Sequence, residues 1–166
     1  MTSRRTLVRS AAVAALAIAA QTVPAAQAAA DSGVVQLRSA YSMSETIARL
    51  KTDIAAKGIV LFSEIDQAAL AAKAGVGLRP STLLVFGNPG LGSHFITANP
   101  AAGLDWPVRL LIFENDKGEV WMAYTDFAWI ARRHAIASRE KEFKMATEVV
   151  TSITGTAMRR QGASAG

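Results

Sequence analysis

Hydrophobic residues change their spacing along this chain, and each change of period predicts an element. Val34-Val35-Gln36-Leu37-Arg38 reads as a short strand. Met43, Ile47, Leu50 and Ile54 then recur at helical spacing behind Ser42-Met43-Ser44-Glu45, a capping-box pattern. Lys57 and Gly58 supply a helix stop. Residues 59–65 read as a strand from their β-branched and aromatic content, and Asp66 is placed to cap an alanine-rich helix over 67–74 that stops at Gly75. Residues 82–86 form a third apolar strand. A short helix over 93–98 and an irregular turn over 100–105 follow. Residues 108–113 and 119–125 are strands joined through Asn115-Asp116-Lys117-Gly118, a hairpin turn. Asp126 can cap a helix over 127–134. A last helix runs from about Ser138 to Thr154, with Phe143, Ala146, Val150 and Ile153 on one face.

This order predicts an α+β fold of β-α-β4-α type: two layers, with a largely antiparallel sheet and helices on one face. No repeat and no interdomain linker interrupts it, so residues 29–157 read as a single domain followed by a tail over 158–166.

The first 28 residues follow another logic. Arg4, Arg5 and Arg9 precede an alanine-rich apolar run, and Ala26-Gln27-Ala28 offers small residues for cleavage. The run is too short for a membrane anchor, so 1–28 reads as a signal peptide with a twin-arginine-like start. The expected location is periplasmic or secreted, with no membrane attachment after cleavage. The full chain carries 18 basic and 13 acidic residues, and without the signal arginines the excess falls to +2. A high precursor pI therefore says little about partners, and no basic stripe interleaved with aromatics supports nucleic-acid binding. The absence of cysteine excludes disulfides, thiolate chemistry and Cys-ligated zinc.

Candidate chemistry is sparse. Gly87-Asn88-Pro89-Gly90-Leu91-Gly92 breaks an apolar strand, but it matches neither the dinucleotide fingerprint nor a Walker loop. It reads as ordinary turn chemistry. His94 and His134 could join Asp66, Asp105 or Asp126 in a metal site, yet no paired helical spacing supports this, and the expectation is no metal. Met43, Met122, Met145 and Met158 are too scattered for a copper motif. Tyr124, Asp126 and His134 could serve as acid or base, but no activated nucleophile accompanies them. Trp106, Trp121 and Trp129 read as core or interface residues before ligand-stacking ones.

Several segments together carry a resemblance. Ile65-Asp66, the run from Leu78 to Pro89 containing Phe86-Gly87-Asn88-Pro89, Leu104-Asp105-Trp106-Pro107, Tyr124-Thr125-Asp126 and Arg132-Arg133-His134 resemble the Domain of Unknown Function 302 family over roughly 35–134. The resemblance implies a fold related to the TATA-binding-protein-like group, frequent homodimers and no established activity. The family usually has histidine after Ile-Asp and leucine before the later proline, where this chain has Gln67 and Trp106. That departure favours a binding site over a catalytic one.

The expected role is a periplasmic small-ligand-binding or sensing module, homodimeric, with a small molecule as partner and no cofactor identified. Asp66, Gln67, Asn88, Tyr124, Asp126 and His134 are expected to border its pocket. The alternatives are a metal- or haem-associated redox accessory protein, or a lyase- or hydrolase-type enzyme using His134 with Asp126 or Tyr124.

Overall fold

The computed structural model describes residues 32–158. The signal-peptide reading of 1–28 and all but the first residue of the tail lie outside the described residues. Among the described residues, five strands form one sheet in the order β1-β5-β4-β3-β2, with every neighbouring pair antiparallel. The strands are β1 (Val34–Arg38), β2 (Val60–Asp66), β3 (Ser81–Gly87), β4 (Val108–Glu114) and β5 (Val120–Thr125). The helices are α1 (Met43–Ala56), α2 (Gln67–Lys73), α3 (Pro89–Ala98), α4 (Phe127–Arg133) and α5 (Glu140–Met158), with a 3-10 turn over Pro100–Leu104.

Strands β2 to β5 form a meander, and β1 returns to the free edge of β5. That places β1 and β2 on opposite edges, pointing the same way, so the link between them must cross the sheet. Four strand spacings are about 19 Å; the 14 residues of α1 extend about 21 Å. The helix is thus long enough to span the sheet in one pass. Leu50 and Ile54 of α1 are buried there. Helix α5 lies beside it and buries Phe143, Ala146, Val150, Ile153 and Ala157 at alternating three- and four-residue steps. Together they cover the sheet face carrying Leu84, Phe86, Leu110, Ile112 and Met122. Each fully buried side chain of this size contributes about 1.5–3 kcal/mol.

Period two sends alternate residues to the other face. Leu83, Val85, Leu111, Phe113 and Trp121 lie there, half-buried, with exposed Phe62 on the bulged edge strand β2. Among the described residues, no large helix covers this side.

The local signals act mostly as read. Ser42 Oγ accepts from the Glu45 amide at 3.3 Å, whereas the Glu45 carboxylate turns to Arg49 at 3.0 Å, so only half of the capping box forms. Helix α3 departs further from expectation. It begins at Pro89, not Ser93, with Asn88 as its N-cap. Proline at the first helical position costs nothing, because that N–H has no intrahelical partner. The Gly-Asn-Pro stretch is therefore a strand end joined directly to a helix start.

Candidate functional site

The residues that sequence logic gathers into one pocket do not converge. Asp66 and Gln67 lie at the end of the sheet where β3 begins; Asn88 follows its other end, about 20 Å away along a seven-residue strand. Three of the six cap helix N-termini: Asp66 accepts from the Ala69 amide at 2.8 Å, Asn88 from Leu91 at 3.2 Å and Asp126 from Trp129 at 2.6 Å. Polar side chains at strand–helix junctions satisfy orphan backbone donors, and that local role places them. Gln67 accepts from the Ser81 hydroxyl at 2.7 Å.

His134 ends α4 as its C-cap, and its buried ring is hydrogen-bonded to neither Asp126 nor Tyr124. Its Nε2 meets Asp105 Oδ2 at 2.6 Å. Asp105, only 2% exposed at its side chain, also takes Arg109 at 2.9 Å and Arg133 at 3.1 Å. Histidine and two arginines thus fully employ one buried carboxylate, which pins α4 to the segment entering β4. His94 is exposed on α3. Among the described residues, no three His, Cys, Asp or Glu side chains assemble as metal ligands.

Tyr124 points into the helix-covered face. Burial raises its hydroxyl pKa above the usual value near 10; Asp126 adds to this, while a hydrogen bond with Thr151 opposes it. A raised folded-state pKa means that the folded protein holds the proton more tightly. Its contribution to stability is complete below pH 10 and is lost as pH rises through the folded value. In Tyr124→Phe, the stability lead of wild type is therefore expected to hold up to about pH 10 and to shrink above it in urea unfolding. A lead unchanged with pH would contradict the burial of this hydroxyl.

A mostly apolar pocket lies elsewhere, where β3 passes into α3. A cavity of about 300 Å³ opens between the sheet, α5 and Trp106. Ile59, Phe86, Val108, Leu91 and Val149 line it, and Lys57 and Asn88 are exposed at its margin. Of the six sequence-predicted residues, only Asn88 lines it. Trp106 forms one wall because two glycines admit its ring. A Cβ built on Gly92 would stand 1.7 Å from Trp106 Nε1, and one on Gly87 would stand 2.8 Å from Cζ2. Phe95 packs against the same indole at 5.6 Å between centroids and against Phe143 at 4.4 Å. The glycines of the Gly-Asn-Pro-Gly-Leu-Gly stretch thus seat a tryptophan, and need no phosphate to explain them. Ile59, Lys57 and Val149 carry no sequence signal as wall residues, because the glycines that seat Trp106 read as a turn before the helix.

Sheet and cavity define a two-layer α+β domain with a small apolar pocket beside the open end of β3. Residues 35–155 match the family model described as "Domain of unknown function DUF302", and the chain belongs to that family. A solved structure of an uncharacterized conserved DUF302 protein from Bacillus stearothermophilus superposes with a TM-score of 0.69 at 13% identity, covering 76% of this chain and 98% of that one. It shares the fold. Among curated proteins, the chain is 40% identical over 106 residues to a protein named fluoride-specific ion channel FluC 1 from Brucella suis, covering 64% of this chain and 42% of that protein. Proteins named FluC 1 in Brucella abortus and FluC 2 in Brucella melitensis match at the same identity over 39% of their length. The chain thus spans about two-fifths of these relatives. No described helix is long and apolar enough to cross a membrane.

Proposed function

We propose that this domain binds a small, largely apolar molecule in the cavity behind Trp106 and acts as an exported binding or sensing module in the periplasm. The observation that carries the reading is the cavity itself: about 300 Å³, lined mostly by apolar side chains, with Lys57, Asn88 and the Trp106 indole as its polar ones. This falls at the small end of the range for ligand sites. The arginine-containing apolar leader supports the exported setting.

The same proposal includes a homodimer formed through the open sheet face. The face measures roughly 400–500 Å² in plan, and side-chain relief brings it toward the roughly 800 Å² per partner of standard interfaces. A two-fold contact uses one patch twice, and Phe62 with its half-buried apolar neighbours offers such a patch.

Native mass spectrometry of the protein purified from exporting cells tests both parts. The expected spectrum is a dimer carrying a small-molecule adduct. Val149→Phe should fill the cavity and remove the adduct, and Phe62→Glu should give monomers. An adduct retained by Val149→Phe, or a wild type without one, would contradict the ligand reading. A Phe62→Glu dimer would contradict the interface.

A further inference from the structure

The cavity has one-sided polar chemistry. Among its lining residues no carboxylate appears. Its two marginal polar side chains both offer donors. Asn88 commits Oδ1 to the Leu91 amide at 3.2 Å, and this fixes the amide orientation so that Nδ2 is the free end. Nδ2 makes no hydrogen bond to any described residue. Lys57, the C-cap of α1, rests against Asp53 at 2.8 Å, and Asp53 is not part of the cavity lining. An ammonium has three N–H donors, so a two-oxygen carboxylate leaves it capacity for another acceptor. The Lys57 side chain is 31% exposed, which leaves that capacity reachable at the cavity margin.

An apolar body fits the walls formed by Ile59, Phe86, Leu91, Trp106 and Val149. A cationic head group would meet the like charge of Lys57 and find no carboxylate among the lining residues to receive it. An acidic head would meet a charge-assisted donor and a neutral one, and hydrogen bonds to ionised partners are the stronger kind. We infer that the cavity selects amphipathic anions: compact apolar molecules with one carboxylate or sulfonate group, held at Lys57 and Asn88. This rests on the cavity reading above and specifies the class of ligand that it takes.

Two fluorescent probes share a skeleton and differ in one acidic group: 8-anilino-1-naphthalenesulfonate and neutral N-phenyl-1-naphthylamine. Titration of the mature domain with each separates the head-group inference from the cavity itself. The expected result is about tenfold tighter binding of the sulfonate, the size of one charge-assisted hydrogen bond. Lys57→Gln should erase most of that preference and leave the neutral probe unaffected. Asn88→Asp keeps the oxygen that caps α3 and replaces the donor by a negative charge, so it should weaken only the sulfonate. Val149→Phe should weaken both probes. Equal affinities indifferent to Lys57→Gln and Asn88→Asp, with Val149→Phe still blocking both, would overturn the head-group inference and leave the cavity intact. Binding of both probes that ignores Val149→Phe, or no binding to wild type, would overturn the cavity reading and this inference with it.

Discussion

Gly92→Ala is expected to destabilise the domain by about 2–3 kcal/mol, and to do the reverse once Trp106 is removed. In an ordinary exposed helix this exchange stabilises, because alanine gives up less backbone entropy than glycine, by about 1 kcal/mol. Here the added methyl would stand 1.7 Å from Trp106 Nε1. That indole is held between α3, the Phe95 ring and the cavity, so it can yield only by opening the packing around Phe95 and Phe143. In a Trp106→Leu background the obstacle is gone, and Gly92→Ala should become neutral or stabilising. The double-mutant cycle, read by urea unfolding, should therefore give a coupling of about 3 kcal/mol, at the upper end for residues in contact. Additive effects would mean that Trp106 does not occupy the space that Gly92 leaves. The same substitution should distort the wall through which a ligand is held, so loss of stability and loss of probe binding are expected together.

The second large effect belongs to Asp105. Its carboxylate is buried under three donors, His134 at 2.6 Å, Arg109 at 2.9 Å and Arg133 at 3.1 Å. Asp105→Ala leaves the buried imidazole without its partner and removes the tie between α4 and the start of β4. Breaking a buried pair from one side costs about 3–5 kcal/mol. The two arginine side chains are 49% and 44% exposed and can return to water, which moves the expectation to about 2–4 kcal/mol. Asp116→Ala provides the contrast: Asp116 also pairs with an arginine, Arg79 at 3.2 Å, but its side chain is 99% exposed. Its loss should cost under about 0.5 kcal/mol. Equal losses at the two positions would show that the Asp105 cluster is not a buried tie.

These residues also show what could be read before any fold was known. The strands were legible because β3, β4 and β5 carry dense β-branched and aromatic runs. Helix α5 was legible because Phe143, Ala146, Val150 and Ile153 keep one face. The start of α3 was misread, since Gly90 and Gly92 argue against a helix, and Gly87-Asn88-Pro89 has the composition of a turn. What decides the case is the indole of Trp106, which needs those glycines bare and stands 14 residues further along. The candidate pocket was drawn from polar residues at strand–helix junctions, where function often collects. Asp66, Asn88 and Asp126 spend their oxygens on helix amides instead. The cavity was illegible for the opposite reason. Ile59, Phe86, Trp106 and Val149 each look like ordinary core residues, and only the crossing of α1 and α5 over the sheet brings them round one space. The partnership of His134 with Asp105 joins residues 29 positions apart and carries no periodic signature.

Methyl NMR locates a bound molecule without any substitution and so checks the proposed site behind Trp106. Titrating the methyl-labelled domain with N-phenyl-1-naphthylamine should shift Ile59, Leu91, Val108 and Val149, which line the cavity. Leu83, Val85 and Leu111 on the opposite sheet face should stay unmoved. Shifts confined to that opposite face, or no shifts at saturating probe, would contradict the account.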